Sequence, residues 1–275
     1  MEFQYLKVPL AKRRKKANKT KKLAWIIGTG PSLRDIDIKK LKGHATITFN
    51  RAYIAFQEWG FDPTFYLSID SNDIRSTYKD LGKIINKSNV KAFFFAECLD
   101  NCNHSAEHFQ DQEKVSHEQM FPDLENVFIL KGSAEVLGQV KFDPSNRYVD
   151  IRHYPNSGYV GLMMLCAMGY NEIAFVGCDA RYADNDESNK DIIVHGQGEY
   201  ESLKDSDVNH FRSDYFGKGR RFGKPNERQI IDIWRRGKEE IDKIEGLNVF
   251  SCTPNSNLNN FYKYIDFEEF IKGKR

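Results

Sequence analysis

Residues Trp25 to Leu33, Trp-Ile-Ile-Gly-Thr-Gly-Pro-Ser-Leu, read as a short apolar strand that breaks at Gly28 and Gly30 and restarts at Ser32 as a helix. Glycines at such a break permit positive φ and close approach of a ligand to the backbone, and the open N–H groups of a helix start favour an anion. Gly28, Thr29, Gly30, Pro31 and Ser32 are therefore candidates to cradle the phosphate of a nucleotide or sugar nucleotide. The segment lacks the third glycine of a dinucleotide fingerprint and the Lys-Ser/Thr pair of a P-loop. A strand ending in a Gly-Pro turn before a capped helix would show the same residues with no ligand at all. Further polar groups follow other apolar runs: Asn50-Arg51, Asp70-Ser71 and Gly177-Cys178-Asp179, while Asn156-Ser157-Gly158 precedes an apolar helix. Singly these are ordinary N-cap residues. Together they stand where strands give way to helices, the edge at which doubly wound sheets bind ligands. Asp70 and Asp179, each ending a strand, form a candidate Mg²⁺ pair.

The elements that must position these residues follow from hydrophobic periodicity. Strand-like runs are Leu23 to Ile27, Ala45 to Phe49, Phe65 to Ile69, Lys91 to Ala96, Asn126 to Leu130, Glu172 to Val176 and Leu247 to Ser251. Helical stretches are Ser32 to Lys42, Ala52 to Trp59, Asn72 to Asn86, the small and apolar Gly158 to Met168, and the amphipathic Glu227 to Ile244. This alternation predicts an α/β fold: a doubly wound, mostly parallel, Rossmann-like sheet with helices on both faces. Cys98 to Asn126 and Arg181 to Pro225 break the alternation and read as long loops, the second as a lid-like insertion over about residues 181–225.

The chain has 275 residues, 40% of them hydrophobic, enough for one Rossmann-like domain over residues 23–275. Nine Lys or Arg against one Glu in residues 1–22 leave the remainder at −6, against +2 for the whole chain. That segment, with the basic run Lys12 to Lys16, reads as a disordered arm able to contact anionic lipid head groups through residues 12–22. No later stretch interleaves basic and aromatic residues as a nucleic-acid groove does, so no specific nucleic acid is expected. No run approaches a membrane span and no signal peptide is recognisable, which predicts a cytoplasmic protein that can reach the inner face of the membrane. The five cysteines, Cys98, Cys102, Cys166, Cys178 and Cys252, read as free thiols, not a zinc site.

The pattern Ile-Gly-Thr-Gly-Pro-Ser-Leu, Phe49-Asn50-Arg51, Asn156-Ser157-Gly158, Gly169-Tyr170-Asn171-Glu172-Ile173 and Val176-Gly177-Cys178-Asp179 resembles the bacterial family 42 sialyltransferases. It looks still closer to the motility-associated-factor glycosyltransferases and their single-domain cousins, a group that includes an archaeal hydroxymethylpterin pyrophosphokinase. Tyr66 to Asp70, Asn209-His210-Phe211, Tyr215 to Gly219 and Cys252 to Ser256 fit that cousin group. The resemblance runs from about Leu23 to Phe267. It implies a nucleotide-sugar donor of the CMP type and transfer of a nonulosonic acid, such as sialic or pseudaminic acid, to a hydroxyl of a glycan or lipid-linked saccharide.

On that implication the phosphate turn and Asn50, Arg51, Asp70, Ser157, Gly158 and Asp179 hold the donor. Tyr182 assists the departing phosphate, as the family's tyrosines do, and Lys218, Arg220 and Arg221 add positive charge. No cofactor is required. The acceptor hydroxyl needs a general base titrating near neutrality, so histidine comes first among seven, with His210 chosen and His195 in reserve. In family 42 the base histidine stands nearer the next helix, where this chain has Gly223-Lys224-Pro225. Two other readings stay open. One is a Mg²⁺-dependent pyrophosphokinase acting on a hydroxymethylpterin with ATP through Asp70, Asp179 and the basic residues. The other is a non-catalytic nucleotide-binding module.

Overall fold

The structure is a computed structural model that describes residues 21–96, 125–131, 140–143, 148–151, 156–182, 191–195, 199–223 and 225–274. Its centre is a ten-stranded sheet of order β13-β12-β8-β1-β2-β3-β4-β5-β7-β6. The strands are β1 (Leu23–Ile27), β2 (Ala45–Phe49), β3 (Phe65–Ser68), β4 (Ala92–Ala96), β5 (Val127–Lys131), β6 (Val140–Asp143), β7 (Tyr148–Ile151), β8 (Glu172–Val176), β12 (Asn248–Ser251) and β13 (Lys263–Tyr264). Every neighbouring pair is parallel except β6 with β7. All seven expected strands are present, within a residue or so at each end.

Parallel strands covered on both faces are apolar at successive positions, and β1 shows why. Ala24 and Ile26 enter one buried cluster, Trp25 and Ile27 the other, all with no exposed surface. The first face is covered by α3 (Ser157–Ala167) and by α4 (Glu227–Ile241), which contributes Ile233, Trp234 and Ile241. Every residue of α3 is buried, as its unbroken run of small and apolar side chains requires. The second face takes α1 (Phe56–Trp59), α2 (Ser71–Lys87) and α5 (Phe267–Ile271).

From β1 the chain runs outward through β2, β3, β4 and β5, then returns to place β8 on the other side of β1. The order reverses between β1 and β8, and their carboxyl ends flank the crevice such a reversal opens.

Three expectations are corrected. Ser32 to Lys42 is not an α-helix but two 3-10 turns, Pro31–Asp35 and Ile38–Leu41, with Ile36 extended between them. Ile36, extended at φ −111° and ψ 126°, divides the segment, and the two turns separately bury Leu33 and then Ile38 and Leu41. Ala52 to Trp59 begins as the 3-10 turn Asn50–Ala55 and only then becomes α1. The segment expected as a loop over 181–225 contains a three-stranded antiparallel sheet of β9 (Ile192–His195), β10 (Glu199–Ser202) and β11 (Arg221–Gly223). Its strands are only three or four residues long, so any period of two is lost among the flanking Asp, Asn and Gly.

This cap is tied to the body by side chains reaching from both sides. The Arg34 guanidinium donates to the carbonyls of His210 (2.5 Å), Asp207 (3.3 Å) and Phe211 (3.3 Å). Arg212 pairs with Asp214 and with Glu58, and donates to the Ile54 carbonyl. Among the described residues no helix is long and apolar enough to cross a membrane. The basic arm over residues 1–20 and the cysteines Cys98 and Cys102 lie outside the described residues, as does nearly all of the other expected loop, Cys98 to Asn126. Cys166, Cys178 and Cys252 are buried free thiols. Lys22 donates to the Asn171 side chain at the start of β1, the sheet edge opposite the crevice.

A Cβ on Gly28 would stand 2.2 Å from the Gly177 carbonyl oxygen. Gly28→Ala is therefore expected to destabilise the fold by about 1–3 kcal/mol, with the melting midpoint falling roughly 2–4 °C for each kcal/mol. Thermal denaturation followed by circular dichroism measures it.

Candidate active site

The two turns that end β1 and β8 interlock. Gly28 N–H donates to the Val176 carbonyl and Gly30 N–H to the Gly177 carbonyl, both at 2.8 Å. Ser32 donates to Asp179 twice, from its hydroxyl at 2.8 Å and its amide at 3.3 Å. A Cβ on Gly30 would meet Asp179 Oδ2 at 1.9 Å. Gly28 and Gly30 are thus required by close packing of protein on protein, and neither has the positive φ anticipated; that conformation falls instead to Gly177, at φ 66°. Three amides expected for a phosphate, those of Gly28, Gly30 and Ser32, are engaged within the protein. Pro31 has none. Among the described residues the Thr29 amide of this turn has no acceptor, and Thr29 lines the cavity above. Burial pushes the Asp179 carboxyl up, against the opposing pull of the Ser32 donors.

That cavity has a volume of about 680 Å³, within the usual span of small-molecule sites. Thr29, Gly30, Asn50, Asp70, Ser157, Gly158 and Asp179 all reach its wall, so residues up to 150 positions apart in sequence converge as expected. Asn50 holds φ 52°, a left-handed conformation that asparagine tolerates better than most side chains. Its carbonyl accepts from the Tyr66 hydroxyl, and its side-chain oxygen accepts from Ser157 Oγ at 3.2 Å. The next residue along, Asn156, caps α3 by accepting from Tyr159 N–H at 2.8 Å, and also accepts from Trp234 Nε1 at 3.1 Å.

The cap supplies the opposite wall. His210 Nδ1 lies 2.8 Å from Asp207 Oδ2, and the Asp207 side chain is only 7% exposed. Asp207 also accepts from the amides of Asn209 (2.8 Å) and Phe216 (3.3 Å). An ionised carboxylate only accepts, so the ring proton belongs on Nδ1 and the Nε2 lone pair is left available. The His210 ring lies flat on Tyr215, centroids 3.9 Å apart and planes 4° from parallel. The buried Tyr215 hydroxyl in turn accepts from Arg51 N–H at 3.2 Å and bonds the Thr29 side chain. Imidazole, phenol and the turn after β1 therefore form one connected unit. Tyr182 also lines the cavity; burial, and then the Glu227 charge, push its phenol up to about 12, so it stays a neutral donor at neutral pH.

Other expected site residues lie elsewhere. Arg51 is buried behind the wall with its guanidinium 5.9 Å above the Tyr215 ring, not on the cavity surface. Gly28, Pro31 and Ser32 lie in the floor turn beneath the cavity surface. Of the basic stretch, Arg221 reaches the cavity, Arg220 sits near Asp73, and Lys218 is exposed with its amide on Asp205. His195 pairs with Glu199 in the cap sheet, and its side chain lies outside the described residues. Asp70 Oδ1 accepts from Asp73 N–H at the start of α2, and both Asp179 oxygens accept from Ser32. Among the described residues no cluster of three or more His, Cys, Asp or Glu is arranged to hold a metal.

Asp73, Asp207, Tyr215 and Arg181 line the site without having been singled out from sequence. Asp207 carried a legible signal, three residues before His210 within a turn-forming stretch. Asp73 was obscured by its neighbour Asp70. Tyr215 stood within the Tyr215 to Gly219 stretch of the resemblance, with no role of its own.

This chain shares the fold of the MAf glycosyltransferase from Magnetospirillum magneticum AMB-1. The superposition has a TM-score of 0.51 at 14% identity and covers 94% of this chain. It spans only 37% of that protein's length. Weaker likenesses join it to the Campylobacter jejuni sialyltransferase CstII, solved with CMP-3FNeuAc (TM-score 0.44, 16% identity, 88% of this chain and 86% of that one) and with cytidine-5'-monophosphate (0.45, 16%, 88% and 84%). No protein-family model matches the sequence, and no curated protein sequence does.

Asp207→Ala removes the acceptor from two amides and a ring nitrogen together. It is expected to cost about 1–3 kcal/mol in a denaturant titration. In the ¹⁵N side-chain spectrum His210 should lose its Nδ1-protonated tautomer in favour of a mixture.

Proposed function

We propose that this protein is a glycosyltransferase that moves a sugar from a nucleotide-activated donor to an acceptor hydroxyl. The donor is a CMP-activated nonulosonic acid such as sialic acid, and the acceptor a hydroxyl of a glycan or lipid-linked saccharide. The observation that carries the reading is the Asp207–His210 pair, which faces the same cavity as the interlocked turns at the β1/β8 reversal. A sheet-edge nucleotide site and an oriented imidazole in one cavity suit a reaction that binds a phosphate ester and takes a proton from a nucleophile.

In this reading the donor phosphate lies over the Thr29 amide, and Asn50, Ser157 and Gly158 face the base and sugar edges. His210 Nε2 accepts the proton of the acceptor hydroxyl as its oxygen bonds to the anomeric carbon. The bond from that carbon to the phosphate oxygen breaks, and CMP leaves with the electron pair. The Tyr182 hydroxyl donates to the departing oxygen, and Arg181 and Arg221 offset the charge it gains. Asp207 holds the imidazole in its tautomer and stabilises the imidazolium that forms.

Incubation with CMP-sialic acid, other CMP-nonulosonates, UDP-sugars and ATP, each with and without EDTA, discriminates the donors. Release of CMP indifferent to EDTA is expected. Magnesium-dependent release of AMP from ATP would overturn the assignment in favour of pyrophosphoryl transfer. His210→Ala is expected to lower turnover by ~10²–10⁴-fold with donor affinity nearly unchanged, a split that single-turnover rates and direct binding resolve.

A further inference from the structure

Burial sorts the lining of the cavity into a closed floor and an open rim. Thr29, Ser157 and Gly158 at the floor are buried, whereas Gly223, Asn226 and Gln229 at the rim are exposed. The His210 side chain, 14% exposed, is intermediate between them. A donor held by its phosphate on the floor leaves the outer part of the cavity for the second substrate.

That outer part carries an aromatic wall for which the donor has no use. Phe216 meets the His210 ring edge to face, with centroids 4.9 Å apart and planes at 85°. Phe222 lies flat against Phe216 in turn, 4.4 Å between centroids and 6° from parallel. Both rings line the cavity, and both keep part of their surface open even with Tyr200 packed against Phe222 from β10 at 5.8 Å. The space next to Phe222 is clear, since a Cβ on the following Gly223 would meet nothing within 4 Å. Gln229, exposed near the start of α4 and also on the cavity, adds a side-chain amide with no hydrogen-bond partner among the described residues.

An aromatic ring is electron-rich on its face, so it suits ligands that present polarised C–H groups. A pyranose has that character on the flat of its ring and carries hydroxyls around the edge. Such a sugar offers its apolar side to Phe222 and its hydroxyls to Gln229, the pairing of apolar wall and few polar groups that fixes a ligand's orientation. An alkyl chain would leave the side-chain amide unanswered. A nucleobase would stack equally well, but Asn50, Ser157 and Gly158 on the floor already face the base and sugar edges of the donor. Phe222 stands two ring contacts from the imidazole, within reach of a hydroxyl on the same sugar or the next.

We propose that Phe222, backed by Phe216, forms the acceptor subsite: it stacks on the C–H face of a pyranose and so presents one of that saccharide's hydroxyls to His210 Nε2. The proposal rests on the glycosyltransferase reading of this cavity. It assigns recognition to the sugar of the acceptor and not to any lipid attached to it.

The test uses the full chain and the methyl pyranosides of glucose, galactose, N-acetylglucosamine and N-acetylgalactosamine, each with CMP present and absent. Saturation-transfer NMR should show at least one of them receiving magnetisation chiefly at its ring C–H protons. In protein labelled with ¹³C-phenylalanine, that pyranoside should shift the Phe222 ring signals most. Phe222→Leu keeps apolar bulk and removes the aromatic face. It is expected to weaken the pyranoside about five- to tenfold, the size of one aromatic contact, while Phe222→Trp retains it and CMP affinity is unchanged in both. Thermal melts report whether the variants fold, and the labelled wild-type titration decides the question if they do not. Phe222 signals unmoved by every pyranoside, or equal pyranoside affinity in Phe222→Leu, would overturn the proposal while CMP binding kept the donor site intact. A loss of CMP affinity in Phe222→Leu would overturn it in favour of base stacking. If neither CMP nor CMP-sialic acid binds, the proposal and the reading of the cavity fall together.

Discussion

The closeness of two backbone turns organises this molecule. Where β1 and β8 end side by side, two amides of the first turn donate to carbonyls of β8 and the turn after it, and Ser32 of the first turn is held by Asp179 of the second. The contact leaves no room for a Cβ at Gly28 or Gly30. It places the crevice of the sheet above the point where the strand order reverses between β1 and β8, and it commits most of the turn's hydrogen-bond donors to the fold. Thr29, Gly30 and Asp179 reach the cavity wall, and the Thr29 side chain is itself bonded to Tyr215.

Those walls come from distant parts of the chain. Asn50 is held in a left-handed conformation between Tyr66 and Ser157, a local strain sustained by two hydrogen bonds. The cap brings an imidazole whose orientation is fixed on both sides, by Asp207 at its ring nitrogen and by Tyr215 against its face. Arg34 and Arg212 then bind the cap to the body, so the imidazole is positioned relative to the phosphate turn and not merely tethered near it. Tyr215 closes the circuit by bonding Thr29 and the Arg51 amide. Electrostatically the cavity sets five carboxyls, those of Asp70, Asp73, Asp179, Asp191 and Asp207, against Arg181, Arg221 and His210.

Much of this was legible in the linear chain, and the exceptions are instructive. Apolar runs such as Leu23 to Ile27 declare strands covered on both faces, because a five-residue segment with no polar position can bury itself no other way. Polar residues following those runs mark the ligand edge, and Thr29, Asn50, Ser157 and Asp179 do converge there. The segment from Ser32 to Lys42 misled, since its composition does not reveal the extended residue Ile36 that divides it into two 3-10 turns. The cap misled as well: strands of three or four residues carry too little periodicity to stand out from a loop.

By itself, then, the sequence determined the class of fold, the order of its main strands and the polar residues at their ends, because burial is imposed locally and leaves a local pattern. The tertiary structure alone decided what each of those residues does. Ser32 and Asp179 lie 147 positions apart, and nothing near either announces the other. The same holds for Arg51, which looked like a ligand contact until packing drew it behind Tyr215. It holds too for Asp73, whose charge is governed by residues from three separate elements. Hydrogen bonds and charges act between neighbours in space, and only the folded sheet makes these residues neighbours.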